Sequence, residues 1–275
     1  MHLSTALLGL ASLVSPSLAV MSDYDGLPWD GRQIQQNGGS NGNLADYVTV
    51  QHQGRPEGYN DDGGVLAIGV DDKAIFSTST NARRSDLFRI IEGDSGSTTF
   101  YRASFMKGEA FLNSYDWQLI FVGSGVFEIG VNASKTPAQV YCRNKGTDAA
   151  KWSTEFVPGT WYNFGAGVEK AADGTNTAVE FCTSTGQDEL KFNMKTQVEG
   201  SLLARDEFHI GPATALSSGS SAMNAQQDVV SFNGISAEST PIGAGAPTPA
   251  PSQDAEPIPG STAGEARSFS FNGRK

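Results

Sequence analysis

Short runs in which apolar and polar residues alternate with period two, punctuated by glycine, restrict this chain more than any other feature. Thr98 to Met106 places Phe100, Arg102, Ser104 and Met106 on one side and Tyr101, Ala103 and Phe105 on the other, which is the spacing of a half-buried strand. Val65 to Val70, Gln139 to Cys142, Trp152 to Phe156, Gly159 to Glu169, Ala178 to Thr183 and Val229 to Ile235 extend the series, and Asp173-Gly174 supplies hairpin chemistry between two of them. No segment sustains a helical period, and 32 glycines interrupt the sequence at close intervals. The expectation is an all-β sandwich or barrel.

The ends have a different composition. Ala6 to Val14 is almost wholly apolar and Ser17-Leu18-Ala19 offers small residues for cleavage, so residues 1–19 read as a secretory signal. No stretch reaches the roughly 20 apolar residues that cross a bilayer, so no membrane partner is expected. Residues 241–275 are rich in Pro, Ala, Gly and Ser and are expected to be a disordered tail. Between them, residues 20–240 are enough for one domain with a proper core. Trp29-Asp30-Gly31-Arg32 lies in a lead-in loop with no visible chemistry.

The remaining bounds are chemical. In an oxidising compartment the two cysteines, Cys142 and Cys182, are expected to form one disulfide. Asn132-Ala133-Ser134 is a glycosylation sequon and should sit on a surface turn. A net charge of −11 argues against a nucleic-acid partner. No His/Cys cluster suggests a metal, no cofactor is expected, and the protein is expected to be a secreted extracellular monomer.

Three stretches carry candidate chemistry. Asn81 to Ile91, read as one strand, puts Arg84, Asp86 and Phe88 on one face and Ser85 and Leu87 on the other. Read from the residues alone, an ordinary ion pair on a solvated sheet face is the commoner origin of such a pairing. Asn113 to Phe121 puts Ser114, Asp116 and Gln118 on one face, opposite Tyr115, Trp117, Leu119 and Phe121. An acid and an amide side by side suit a carbohydrate groove, since an amide both donates to and accepts from hydroxyls. Glu207 to Pro212 puts Phe208 and Ile210 in the core and His209 on the polar face. Glu128, facing away from Phe127 and Ile129, is a further candidate, whereas His52 reads as structural.

These stretches, together with Asp30-Gly31-Arg32 near the start and Gly159-Thr160-Trp161-Tyr162-Asn163-Phe164, resemble fungal glycoside hydrolase family 131 in order and rough spacing. The resemblance covers about residues 25 to 237 and implies a single-domain β-jelly roll that cleaves β-glucan at β-1,3-, β-1,6- and β-1,4-linkages with inversion. It further implies Asp86, Asp116 and His209 as catalytic residues, with Arg83, Arg84 and Gln118 binding substrate or orienting the acids. Both family glutamates are aspartates here, and Tyr115 replaces a histidine. Each shorter side chain withdraws its carboxylate by a methylene, which bears on rate and linkage because misplacement of about 1 Å can cost about a hundredfold.

Two other readings follow from the same residues. A secreted glucan-binding or host-interaction protein would keep the groove without efficient turnover, as the two aspartates suggest. A polysaccharide lyase is loosely suggested by Arg84-Ser85-Asp86-Leu87-Phe88-Arg89. The acidity of the chain suits a polyanionic substrate poorly.

Overall fold

The computed structural model describes residues 44–241 apart from 57, 60–61, 77–81, 94–95, 145–148 and 216–221. The expected signal, the Asp30-Gly31-Arg32 loop and the tail after Pro241 lie outside the described residues.

Among the described residues fourteen strands succeed one another: β1 (Val48–Gln51), β2 (Val65–Val70), β3 (Ala82–Arg84), β4 (Leu87–Glu92), β5 (Ser97–Met106), β6 (Asp116–Val122), β7 (Glu128–Asn132), β8 (Gln139–Arg143), β9 (Trp152–Glu155), β10 (Tyr162–Lys170), β11 (Thr177–Thr185), β12 (Lys191–Val198), β13 (Arg205–Ala215) and β14 (Asp228–Pro241). They form two antiparallel sheets. The back sheet runs β1-β2-β14-β5-β10-β11-β12, and the front sheet runs β3-β13-β6-β7-β8-β9, with β4 also pairing with β13. The expected all-β sandwich is the observed architecture.

Alternation explains the two layers. Tyr101, Ala103 and Phe105 of β5 meet Trp117, Phe127 and Phe208 between the sheets, and Trp117, Phe105, Phe127, Phe181, Phe208 and Phe232 are fully buried. Burying each such side chain contributes roughly 1.5–3 kcal/mol. The outer face of the back sheet is covered by the loop after β1. There Arg55, 2% exposed, donates to Asn233 Oδ1 at 2.8 Å and Asn163 Oδ1 at 3.2 Å, between the rings of Tyr59 and Trp161.

β12 is absent from the sequence-based series. Its residues, Lys-Phe-Asn-Met-Lys-Thr-Gln-Val, are mostly polar and half-exposed because β12 is the edge of the back sheet, and such a strand gives little alternating signal.

The expected disulfide is corrected by the structure, in which Cys142 and Cys182 are free thiols. Cys142 points into the core from β8. Cys182 is paired with Gly165 in a register where the flanking residues Phe181, Ala166 and Phe164 belong to the core, so Cys182 faces outward. The back sheet therefore stands between the two sulfurs, and no bridge closes.

Candidate active site

The site lies on the outer face of the front sheet, and two irregularities in the strands build it. The first is in β13, where the register with β6 shifts between Ile210 and Ala213. Gly211 there has φ +139°, and the Ser85 amide donates to the Pro212 carbonyl at 3.0 Å. The stretch expected as one strand is accordingly divided at Ser85-Asp86 into β3 and β4, both paired with β13. The expected facing still holds, since Leu87 enters the core while Arg84, Asp86 and Phe88 turn to the outer face.

The second irregularity is a bulge in β6 between Gln118 and Ile120. It puts both Leu119 and Ile120 into the core and reverses the alternation beyond them. Phe121, expected in the core, is thereby turned outward and stacks on His209 with ring centres 4.7 Å apart and planes at 8°. Phe88 covers the other side of the imidazole at 5.4 Å.

The first cluster is assembled around Asp86. Arg84 grips it with two nitrogens, Nε to Oδ1 and Nη2 to Oδ2, the latter at 2.8 Å. His209 Nδ1 lies 2.6 Å from Asp86 Oδ2 and 2.6 Å from Arg84 Nη2. The Asp86 side chain is 0% exposed and that of His209 3%. Burial by itself would push the Asp86 carboxyl up, but hydrogen bonds from His209 and Arg84 outweigh it and hold the group below the ordinary carboxylate value. On the far side of the imidazole, Nε2 lies 3.1 Å from Glu207 Oε2.

The second cluster is gathered by Arg143 of β8. Its Nη1 donates to Asp116 Oδ2 at 2.8 Å and its Nε to Glu128 Oε1. Gln118 donates to Glu128 Oε2 at 2.6 Å, and the Tyr141 hydroxyl lies 3.3 Å from Glu128 Oε1 and 3.2 Å from the Trp117 carbonyl. Burial, Glu128 and Asp116 push the Tyr141 hydroxyl well up, so it stays a proton donor. Burial would lower the Arg143 guanidinium, yet Tyr141 and the two carboxylates hold it above its ordinary value. Gly130 permits this arrangement because a Cβ there would lie 2.5 Å from the Tyr141 hydroxyl and 2.0 Å from the Trp117 carbonyl.

The structure thus brings together Asp86, Arg84 and His209 as one group and Asp116, Gln118 and Glu128 as another, on one sheet face. Cross-strand pairs fix that common face: His209 opposite Phe121, Ala213 opposite Gln118, and Phe121 opposite Glu128. From β3 or β4 across β13 to β6 is two strand spacings, about 10 Å between backbones. Arg83 is not part of either group. It points the other way from Arg84, and its Nε donates to the Asp72 carbonyl at 2.8 Å. Asn132 ends β7 opposite Asp116 and accepts from Ser134, amide and hydroxyl, at the turn.

Sequence reasoning missed Arg143, Tyr141 and Glu207. The signal was present, because Gln139, Tyr141 and Arg143 alternate with the core residues Val140 and Cys142, and Glu207 stands two residues before His209 on the same strand.

A cleft of about 420 Å³ lies elsewhere, between β9 and the edge of the back sheet, with Trp152, Thr154, Thr183 and Lys191 among its walls. None of the expected site residues lines it. Among the described residues no group of three or more His, Cys, Asp or Glu is placed to hold a metal ion, and no helix is long and apolar enough to cross a membrane.

The sequence pattern of the "Glycoside hydrolase 131 catalytic N-terminal domain" matches residues 23–243. The fold is similar to that of a GH131 β-glucanase catalytic domain from Podospora anserina, with TM-score 0.62 and 20% identity over 80% of this chain and 90% of that one. It is also similar to the catalytic domain of a glycoside hydrolase family 131 protein from Coprinopsis cinerea, with TM-score 0.59 and 20% identity over 79% and 88%. No curated protein matches the sequence.

Proposed function

The chain belongs to the glycoside hydrolase 131 catalytic-domain family, and from that premise we propose that it is a secreted β-glucan hydrolase that cleaves β-1,3/1,6- or β-1,4-linkages with inversion. The observation that carries this reading is the pair of acidic clusters on one sheet face. Asp86 with His209 forms one pole, and Asp116 with Glu128, tied by Arg143, forms the other.

Inversion needs an acid on one side of the sugar and a carboxylate on the other that activates water, with room for that water between them. Asp116, with 36% of its side chain exposed and paired to a cation, suits the base. The pole across β13 supplies the acid. Gln118 offers an amide to sugar hydroxyls, and Arg84 fixes the buried carboxylate of the opposite pole. The apolar rings of Phe88 and Phe121 keep the imidazole from turning.

The test is sugar release by the purified chain from laminarin, barley β-glucan and a β-1,6-glucan, with the anomer of the first product followed by proton NMR. Release of the inverted anomer, abolished by Asp116→Ala, is expected. Undiminished release by Asp116→Ala would overturn the assignment.

One observation favours a glucan-binding protein without turnover, namely the complete covering of the Asp86 side chain. Retention of the protein on insoluble β-glucan with no product would decide for it.

A further inference from the structure

The first cluster poses a chemical problem. Asp86 is sealed from solvent and held by a guanidinium and an imidazole, so its carboxyl can neither reach a glycosidic oxygen nor readily carry a proton to it. The hydrogen-bonded chain nevertheless continues outward. His209, 3% exposed, presents Nε2 to Glu207 Oε2 at 3.1 Å, and the Glu207 side chain is 49% exposed.

Glu207 and His209 are two residues apart on β13 and share a face, which is also the face of Phe121, Gln118 and Glu128. Across β13 its neighbours are Ile90 on β4 and, on the β6 side, a glycine. A Cβ on Gly123 would lie 3.3 Å from Glu207 Cβ and 3.6 Å from its Oε2. Asp206, beside it in sequence, is engaged with the Ser124 amide at 3.0 Å and hydroxyl at 2.5 Å. Glu207 is therefore the open end of a carboxylate, imidazole and carboxylate series whose other end is closed.

We propose that Glu207 is the carboxyl group that exchanges a proton with the glycosidic oxygen, with His209 and Asp86 as positioning residues behind it. The proposal rests on the hydrolase reading above. The ionised Asp86 fixes hydrogen on Nδ1 of His209, which leaves Nε2 to share a proton with Glu207. In the reaction, the Glu207 O–H proton passes to the glycosidic oxygen as the C1–O bond breaks and its electron pair departs on that oxygen. Water adds to C1 from the opposite side and gives its proton to the carboxylate of Glu128, which Arg143 ties to Asp116. The base then releases that proton to solvent and solvent returns one to Glu207, so the sum is one water added across one bond. Glu207 on β13 and Glu128 on β7 are separated by β6 alone. With Glu128 in the row of Phe121 and His209 and Glu207 two residues further along β13, the backbones are about 12 Å apart, a gap that two glutamate side chains reaching toward each other narrow to the roughly 6.5–9.5 Å between carboxyl groups of inverting pairs.

The experiment uses the full chain with Glu207→Gln and Glu207→Asp, assayed on whichever soluble β-glucan the wild type degrades best. Glu207→Gln is expected to lower kcat about a hundredfold or more while KM stays within about threefold. Glu207→Asp, which keeps the carboxyl, is expected to retain at least about tenfold more activity than Glu207→Gln. A second readout needs no substrate. In protein labelled with nitrogen-15, the hydrogen shared at His209 Nε2 should give a slowly exchanging signal that Glu207→Ala loses.

If Glu207→Gln keeps kcat within about threefold while Glu128→Gln or Asp116→Asn removes activity, the proposal falls and the hydrolase reading stands. If the wild type cleaves no β-glucan, the hydrolase reading falls and takes the proposal with it. An Nε2 signal unchanged in Glu207→Ala would also overturn it.

Discussion

Gly211 lies directly beneath Asp86. A Cβ at that position would sit 2.6 Å from Asp86 Cα and 2.3 Å from the Ser85 carbonyl oxygen, and the residue has φ +139°. Both the backbone conformation and the contact demand glycine. Gly211→Ala is therefore expected to cost roughly 2–3 kcal/mol, read as a lower urea midpoint, because the neighbours that must move are backbone atoms. Any folded fraction should lose activity, since the displaced group is the Asp86 loop.

Removing the cation beside Asp86 leaves a covered carboxylate with half its partners. Arg84→Met is expected to destabilise the fold by about 3–5 kcal/mol. Arg84→Lys should recover part of this but not all, because an ammonium cannot make the two-pronged contact. Paired urea titrations of the three proteins at neutral pH check both statements.

The same carboxylate sets a dependence on acidity. Its folded-state value is depressed below the ordinary 3.8. Its contribution to stability is thus complete above about pH 4 and is lost as pH falls below that through the folded value. The difference in unfolding free energy between wild type and Asp86→Asn should be constant from neutral pH down to about pH 5 and shrink below about pH 4. A difference that grew on acidification would contradict the geometry.

Arg143 bridges Asp116 and Glu128, so one substitution should disturb both. Arg143→Gln is expected to lower kcat on β-glucan by about a hundredfold, on the scale of losing a positioned acid or base. Because Arg143 is half-buried with its guanidinium over the Tyr141 ring at 4.3 Å, thermal stability should also drop, and measuring kcat well below the new Tm separates the two effects.

The two thiols give a simple chemical check. Burial, with a lesser electrostatic contribution from Cys182, pushes the Cys142 thiol well up, and burial with Glu180 pushes Cys182 up to about 12. Both should resist thiol reagents in the folded protein and react only in denaturant. Dithiothreitol should leave the unfolding midpoint unchanged.

Much of the site was legible strand by strand. Period two alone separated Arg84 and Asp86 from Leu87, and His209 from Phe208 and Ile210: Leu87, Phe208 and Ile210 belong to the core between the sheets, whereas Arg84, Asp86 and His209 bond to one another on the outer face. It failed at Phe121, where one bulge residue reverses the alternation, and at Ser85-Asp86, where β13 bends beneath the chain. Irregularities of this kind depend on the partner strand, so no local pattern announces them. The expected disulfide failed for a related reason. Compartment and cysteine count say nothing of which face of a strand a sulfur occupies.

By itself the sequence determined that this chain forms short amphipathic strands and must bury one face of each, because alternating apolar side chains have no other way to leave water. Only the tertiary structure decided which strands became neighbours. That choice placed Asp86 behind His209, put Glu207 in front of it, and set Arg143 between Asp116 and Glu128. Pairing between residues more than a hundred positions apart is fixed by how two whole sheets close over a common core, and no window of the sequence contains that information.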